Sequence, residues 1–402
     1  MKPFHALLGA SAGTHAADQL ALATLPLAAT LLLGAGPGLI GLLVALQGAA
    51  WLVVSLPAGA WIDRLPRRRL LLIALGLGLV ASLVAVLAAS TGTVVLLGIA
   101  AFVGASGTVI YVLTSVSLLP GLVPAQDLPR ANSRLELARA VMSLGAPFVA
   151  GQVAARLSPT WGYVLAALGA ALAVACVAAL PRIEAATAGP SRPSFAAAIK
   201  SGAAFVIRHD LLRDLSLCAI FWNFAFFALM AVWVPFALNV LALDPSRIGL
   251  AQSALGAGLI LGALTAPYSM KSLPPFVTLI FGPTVSVIGV ALFLAAPRLD
   301  PLAAPAAGFF LIGYGPMLYL ICQTTVRQLV TPAHLLGRVN ATIQAALFGM
   351  RPLGALASGL IAAHAGLYAA LMLATSCFVL STAVMLLSPL ARLRALPEPA
   401  RA

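Results

Sequence analysis

A stripe of polar side chains runs along the first long apolar segment of the chain. At the three- and four-residue spacing of one helix face, it consists of Ser11, Thr14, His15 and Asp18, with Gln19 at its edge. Asp18 lies about eleven residues into the segment, near the middle of a bilayer that the segment would cross. A carboxylate there costs about 2.5–3.5 kcal/mol on insertion scales. We therefore expect Asp18, with His15, to bind a proton or a cation in a watery cavity; the alternative is a structural carboxylate that neighbouring hydroxyl groups or helix ends satisfy.

A second set of side chains is predicted to line a substrate cavity. Its members lie inside apolar segments and are Thr14, Gln19, Tyr111, Ser115, Trp222, Asn223, Phe226, Tyr319, Gln323 and Arg351. The seventh segment, with Trp222, Asn223 and Phe226, offers aromatic surface where the first segment offers polar groups. A cavity between the two segments would suit an amphiphilic organic molecule, including a cation. The alternative is that these aromatic side chains face lipid or neighbouring helices.

Three members of this set have alternatives of their own. Tyr111 and Tyr319, in the fourth and tenth segments, either face a shared axis or make hydrogen bonds between helices. Arg351 is as costly inside the eleventh segment as Asp18 is inside the first. It either attracts an anionic group of a substrate, pairs with a carboxylate, or extends its side chain toward the membrane surface.

The elements that position these side chains must lie in a bilayer. The chain has 402 residues, of which 62% are hydrophobic and only 8% are charged, too few polar residues to cover a water-soluble globule. Apolar runs of helix length recur from end to end, without the two-residue alternation of a membrane barrel. We predict an all-α membrane protein with twelve transmembrane helices, at about 8–33, 38–62, 70–90, 93–119, 136–156, 161–181, 212–240, 246–268, 276–296, 304–326, 339–362 and 367–388.

Metal, redox and enzyme chemistry find no support in the residue pattern. The four cysteines lie in apolar segments without ligand spacing, and the sequence has no clustered His/Asp site, no nucleophile with a nearby base and no phosphate-binding loop. We expect no metal, no cofactor and no enzymatic activity, with a membrane-embedded enzyme as a remote alternative. The first segment is longer than a signal-peptide core and lacks a cleavage site, so we expect it to be retained.

The net charge of +13 indicates membrane orientation rather than a nucleic-acid partner. If the N-terminus is cytoplasmic, nearly all basic residues fall on the cytoplasmic side, and those that fall outside are Arg156, Arg247 and Arg298. The positive-inside rule then predicts cytoplasmic termini in a multi-pass protein of the cytoplasmic (inner) membrane. We expect the protein to be a monomer.

The chain is predicted to be a duplicated six-helix unit. A shift of 208 residues aligns two long stretches without a gap, and the matches include Gly41 with Gly249, Tyr111 with Tyr319 and Gly151 with Gly359. Because six crossings return the chain to the same side, the repeat is parallel. The predicted domains are an N-terminal bundle (1–181), a cytoplasmic central loop (182–210) and a C-terminal bundle (211–402). Within the loop, 194–207 is a candidate amphipathic helix on the membrane surface.

The loop between the second and third segments, "GAWIDRLPRRR", carries Gly59, Asp63, Arg64, Arg68 and Arg69. A glycine followed by an aspartate and spaced basic residues resembles the loop signature of the major facilitator superfamily. By this resemblance, Asp63 faces the positive N-terminus of the eleventh helix, stabilises the outward-facing state and separates from it when a cytoplasmic gate opens. Gly59 would let the second helix approach a neighbour closely. The alternative is that the arginines only set topology.

Other stretches resemble one subgroup of that superfamily. "LVPAQDLPRANSRLELARA" and "GRVNATIQAALFGMRPLGALASG" are similar to enterobactin exporters and macrolide-efflux proteins. The fifth segment keeps Gly145, Pro147 and Gly151 of an antiporter-like motif but lacks its paired glycines. The fourth segment lacks the arginine that many drug/proton antiporters carry there.

The resemblance implies a secondary active transporter that works by alternating access. We predict proton-coupled efflux of amphiphilic organic compounds such as drugs or siderophores, in which outside protons load Asp18 and compete with the substrate. The alternative is an uptake or facilitated carrier for a small metabolite, including an anionic one attracted by Arg351.

Overall fold

The computed structural model of the chain describes residues 2–119, 122–124, 127–180 and 195–398, without the side chains of a few positions inside helices. Within these ranges the α-helices are α1 (Lys2–Leu31), α2 (Pro37–Arg64), α3 (Arg67–Thr91), α4 (Val94–Leu118), α5 (Leu128–Arg156), α6 (Thr160–Ala178), α7 (Phe195–Arg208), α8 (Asp210–Asn239), α9 (Pro245–Ser272), α10 (Pro275–Ala295), α11 (Ala303–Val330), α12 (Ala333–Ala365) and α13 (Leu367–Leu387). A short 3-10 helix (Pro389–Arg392) follows. The part of the predicted central loop at 182–194 lies outside the described residues.

The twelve predicted spans correspond to α1–α6 and α8–α13. Eleven of these helices are long and apolar enough, by length and composition, to cross a membrane. The exception is α1, which is 30 residues long but carries the polar stripe around Asp18. Three helices begin earlier than predicted, at Lys2, Leu128 and Ala333, because polar turns continue the helix beyond the apolar run.

The shift of 208 residues that aligns the sequence also aligns the helices. The first and last residues of α8 and α9 lie 208 positions after those of α1 and α2. Packing repeats in the same way: α1 packs on α5 and α6 as α8 packs on α12 and α13, and α3 packs on α4 and α6 as α10 packs on α11 and α13. The described helices therefore form two similar six-helix bundles, α1–α6 and α8–α13.

The two bundles are sealed together on the side where α1 and α8 end, which we call the closed side. The helix pairs α2/α12 and α5/α9 cross there at two glycine contacts related by the repeat. A Cβ added to Gly41 would lie 2.7 Å from the Cα of Gly359, and one added to Gly151 would lie 2.9 Å from the Cα of Gly249. Only residues without a side chain allow helices to approach so closely. The side chain of Gln152 also donates a hydrogen bond across the α5/α9 pair.

The bundles separate toward the opposite side, where α1 and α8 begin, which we call the open side. Along this direction α2 touches α12 at Gly48, where an added Cβ would lie 3.4 Å from that of Arg351. One turn later the rings of Trp51 and Phe348 are 4.8 Å apart. Farther along α2, Gly59 is exposed and has nothing within 4 Å of an added Cβ. Arg351 therefore lies close to the level at which the bundles part.

The helix predicted at 194–207 is present as α7, but it packs on protein. A Cβ added to Gly202 would collide with the backbone of Arg338 in α12, and Val206 packs with Val339 and Ile343 of the same helix. The amphipathic pattern of α7 is thus used against α12 and α8 rather than on the membrane surface alone.

Candidate functional site

Asp18 borders a small cavity inside the N-terminal bundle. The cavity has a volume of about 50 Å³, and its polar lining consists of Thr14, Asp18, Gln47, Ser82, Thr108 and Tyr163. The carboxylate accepts a hydrogen bond of 3.2 Å from Gln19 Nε2, and Thr108 also lines the cavity. The Tyr163 hydroxyl and the Gln47 amide oxygen have no partner among the described protein atoms, so both can bind water. This space holds about three or four waters, whereas sites for drug-sized molecules occupy about 300–1,000 Å³.

Aromatic side chains fill the equivalent space in the C-terminal bundle. Trp222 and Phe226, which follow Thr14 and Asp18 by 208 residues, stack with ring centroids 5.2 Å apart, and Trp222 donates a 3.0 Å hydrogen bond to Ser286. Larger rings replace smaller side chains around them: Trp233 for Leu25, Phe293 for Ala85, Phe309 for Ala101 and Phe378 for Ala170. The predicted cavity with one polar and one aromatic wall is therefore not formed by these residues, because the two walls face the interiors of different bundles.

The polar stripe of α1 divides into two faces. Thr14 and Asp18 face the cavity, whereas His15 lies one position later, about 100° around the helix. His15 is buried, and two charged side chains of α5, Arg139 and Glu136, act on it electrostatically. The sequence predicts a single stripe because three- and four-residue spacing includes both Thr14 and His15. It does not show that these two neighbours face different parts of the structure.

Glu136 and Arg139 of α5 are charged residues near the site that the sequence pattern does not single out. They form an ion pair of 2.7 Å, yet 67% and 43% of their side-chain surfaces stay exposed. Arg139 also acts electrostatically on Asp18 of α1 and on Arg351 of α12. Because this pair stays exposed while it acts on groups of both bundles, we interpret its surroundings as a cleft where the bundles separate. From the sequence, Arg139 is predicted to set topology because the fifth span is predicted to begin at 136, whereas α5 begins at Leu128.

Arg351 is held where three helices meet. Its Nε donates a 3.2 Å hydrogen bond to Asn223 Oδ1, and its guanidinium lies over the rings of Phe348, Phe227 and Trp51, at 4.7, 5.2 and 5.8 Å from their centroids. Trp51 belongs to the N-terminal bundle and the other partners to the C-terminal bundle. None of the ion pairs between described side chains involves Arg351.

Tyr111 and Tyr319 tie helices together in equivalent ways. The Tyr111 hydroxyl donates to the carbonyl oxygen of Leu7 over 3.4 Å, and that of Tyr319 donates to Leu215 over 3.0 Å. Both donors and both acceptors are 208 residues apart. These are the hydrogen bonds between helices that the sequence left open as an alternative. One turn later, Ser115 donates to the backbone of its own helix, and Gln323 donates to Thr324.

The charged loop between α2 and α3 is only partly engaged in this conformation. The close approach expected at Gly59 is not made, because the bundles are apart at this level. Asp63 lies in the last turn of α2, and its side chain is outside the described part of the structure. Arg68 donates a 2.7 Å hydrogen bond to the carbonyl oxygen of Ala178, at the negative C-terminal end of α6. Arg64 and Arg69 are exposed.

The fifth-helix motif lies on α5 near the closed side. Gly151 makes the contact with Gly249 described above, and the backbone of Pro147 touches the same glycine. Gly145 has nothing within 4 Å of an added Cβ, so it plays no part in this contact. Two of the three motif residues therefore form the seal between the bundles.

Comparisons with known proteins agree with this architecture. The sequence profile of the Major Facilitator Superfamily matches residues 7–355. The enterobactin exporter EntS of Salmonella typhi is 25% identical over 307 residues, covering 75% of this chain and 72% of that protein. EntS of Shigella boydii serotype 4 is 24% identical over 308 residues, covering 75% and 71%.

Solved structures show the same fold. The nucleoside transporter NupG superposes with a TM-score of 0.77 at 16% identity, covering 96% of this chain and 98% of that one. A bacterial homologue of the iron transporter ferroportin, in an inward-facing state, gives 0.78 at 14% identity, with coverage of 96% and 98%. The long apolar helices and these matches describe a multi-pass membrane transporter of small molecules rather than an enzyme. The chain belongs to the Major Facilitator Superfamily.

Proposed function

We propose that this protein is a proton-coupled exporter of amphiphilic organic compounds that works by alternating access. The observation that carries the proposal is Asp18, a carboxylate beside a cavity of water size within one bundle of a transporter fold. A proton that binds there removes a charge whose burial costs several kcal/mol, so protonation can shift the balance between conformations. The curated relatives named enterobactin exporters support export as the direction.

The distribution of charge supports cytoplasmic termini in a protein of the inner membrane. With that orientation the open side faces the cytoplasm, so the structure corresponds to an inward-facing state. An exporter in this state takes its compound from the cytoplasm. Release to the outside then requires the contacts of Gly41 with Gly359 and of Gly151 with Gly249 to separate.

The proton and the compound are proposed to bind at different places. The cavity at Asp18 is too small for an organic compound, whereas the cleft beside Arg139 and Arg351 lies between the bundles. Helix α1 connects the cavity with the cleft, because its Asp18 lines the cavity and its His15 lies on the neighbouring face, near Arg139. Coupling therefore acts through movement of α1, and direct competition between proton and compound for Asp18 is not required.

A cytoplasmic lock is proposed for the outward-facing state. When the open side closes, Asp63 at the end of α2 approaches the start of α12 at Ala333, where the helix dipole favours a carboxylate. The N-terminal bundle (1–181) and the C-terminal bundle (211–402) move as two units joined by the central loop (182–210). One copy of the chain holds both bundles, so the transporter is proposed to act as a monomer.

One observation favours a second candidate function. Arg351 has no carboxylate partner among the described residues, which would suit an uptake or facilitated carrier for a small anionic metabolite. Such a carrier would move its substrate down a gradient without needing Asp18. The two functions differ in direction and in their response to a pH gradient.

The test uses inside-out membrane vesicles with an acidic lumen and a panel of fluorescent dyes, antibiotics and siderophores. We expect at least one compound to accumulate in the lumen, and collapse of the pH gradient to abolish this accumulation. Asp18→Asn should abolish the accumulation too, whereas Asp18→Glu retains part of it. Glu398→Gln, which removes an exposed carboxylate near the C-terminus, is the matched control. Accumulation that is unchanged in Asp18→Asn would remove Asp18 from the mechanism, and flux independent of pH would favour the carrier.

A further inference from the structure

We propose that Arg351 is the receptor for a negatively charged group of the transported compound, and that the rings around it bind a flat apolar part beside that group. The inference rests on the proposed transport function and narrows its substrate class from amphiphilic compounds in general to organic anions. It follows from the contacts that Arg351 makes, from those it lacks and from its position.

Arg351 has unused hydrogen-bonding capacity. A guanidinium carries five N–H donors in a planar fork that matches a carboxylate or phosphate. Among the described residues, Asn223 accepts a hydrogen bond from Nε of Arg351, and the arginine side chain is partly exposed. The guanidinium is thus anchored at one edge and available at the other.

The charges around Arg351 favour an anion. Arg139 of α5 carries the same sign as Arg351 and acts on it electrostatically, and Arg139 is itself paired with Glu136. Asp18, the carboxylate of α1, lies in the separate cavity of the N-terminal bundle. A cation inside a membrane protein without a carboxylate partner is costly, and charged groups in membrane interiors commonly mark substrate pathways. A bound anion would supply the missing partner.

The rings provide the second part of the site. Phe348, Phe227 and Trp51 surround the guanidinium within 5.8 Å, which stabilises the positive charge through the faces of the rings. The same rings offer apolar surface next to the free edge of the guanidinium, at the level where the bundles part. A compound with a planar apolar group beside an anionic group fits both.

The site occurs once in the two bundles. The position 208 residues before Arg351 is Ser143, and those equivalent to Phe348, Trp51 and Phe227 are Ala140, Leu259 and Gln19. The duplication therefore does not require an arginine or aromatic rings at this level. Arg351 also bridges residues of both bundles, so an anion bound there is placed to sense their relative position.

The test measures equilibrium binding of three radiolabelled probes of matched shape, namely naphthoate, naphthalenemethanol and naphthylmethylammonium. The full-length protein is held in nanodiscs of uncharged phosphatidylcholine, and empty nanodiscs give the background. We expect the wild-type chain to bind naphthoate about tenfold or more tightly than the alcohol and to bind the ammonium most weakly. Equal binding of the three probes, or tighter binding of the ammonium, would overturn the proposal without any variant.

Variants locate the preference. Arg351→Gln should remove the difference between naphthoate and the alcohol, and Arg351→Lys should weaken naphthoate binding several-fold while keeping its order over the alcohol. Arg247→Gln, which removes an exposed arginine on the closed side, should change neither. A preference for naphthoate that persists in Arg351→Gln would overturn the assignment; if that variant does not fold, an unchanged naphthoate affinity in Arg351→Lys would do so.

Transport by the same proteins keeps the two proposals apart. Preferential binding of naphthoate with no coupled flux of any compound would leave the anion site standing and reject the exporter. Coupled flux of dyes with no charge preference in binding would reject the anion site and leave the exporter.

Discussion

Gly151→Ala should open the closed side. The added Cβ would lie 2.5 Å from the carbonyl oxygen of Pro245 and 2.9 Å from the Cα of Gly249. Both neighbours are backbone atoms, so the clash cannot be relieved by a side-chain rotation, and separation of α5 from α9 is the available response. Overpacking of this kind costs about 1–3 kcal/mol. If the cost falls only on the sealed conformation, the ratio of open to sealed molecules rises by about 5- to 150-fold.

The assay is the distance between spin labels on the closed side, at Ser90 of the N-terminal bundle and Arg298 of the C-terminal bundle, after replacement of the four native cysteines. We expect a longer-distance population to grow in Gly151→Ala. Gly359→Ala should act in the same direction, because the repeat places it in the equivalent contact with Gly41. Gly76→Ala, whose Cβ would meet open space, is the control. An unchanged distance distribution in folded Gly151→Ala would refute the view that this contact seals the bundles.

Four further substitutions test the cavity at Asp18, the two tyrosines and the charged loop. Ala101→Phe places a ring where the other bundle has Phe309, so it should fill the cavity at Asp18 and abolish transport driven by a pH gradient; wild-type flux in vesicles would count against a role for the cavity. Tyr111→Phe and Tyr319→Phe each remove one hydrogen bond to a backbone carbonyl, and each should lower the free energy of unfolding by about 0.5–1.5 kcal/mol, measured with denaturant. If instead the variants bind the compound more weakly but are as stable as the wild type, the two tyrosines contact the substrate. Asp63→Asn should reduce flux while topology and expression stay unchanged, and normal flux would leave the loop as a topological signal.

Much of the fold could be predicted because the two halves of the sequence align with a shift of 208 residues. The aligned pairs Gly41/Gly249 and Gly151/Gly359 include all four glycines that form the two contacts between the bundles. The alignment could not show that Gly41 meets Gly359 and Gly151 meets Gly249, because a repeat relates equivalent positions and does not state which of them touch. Helix starts were also missed, since α5 continues through polar turns before its apolar run.

The candidate site was harder to predict. Thr14 and His15 are neighbours in sequence, and only packing decides that Asp18 shares the cavity with Thr14 while His15 lies near Arg139. The aromatic wall at Trp222 and Phe226 was expected to face Asp18, yet it fills the interior of its own bundle because rings replace small side chains there. A comparison of side-chain volumes between the two halves would have revealed this difference.

Proton movement on addition of a transported compound tests the central claim most directly. Proteoliposomes without a starting pH gradient carry a lumenal pH indicator, and the compound is the one that gives the largest flux in vesicles. Because coupling is reciprocal, movement of the compound down its own gradient should drive protons the opposite way in the wild-type chain. In Asp18→Asn, compound movement should occur without a change in lumenal pH. Equal proton movement in the two proteins would contradict the assignment of Asp18 as the coupling residue.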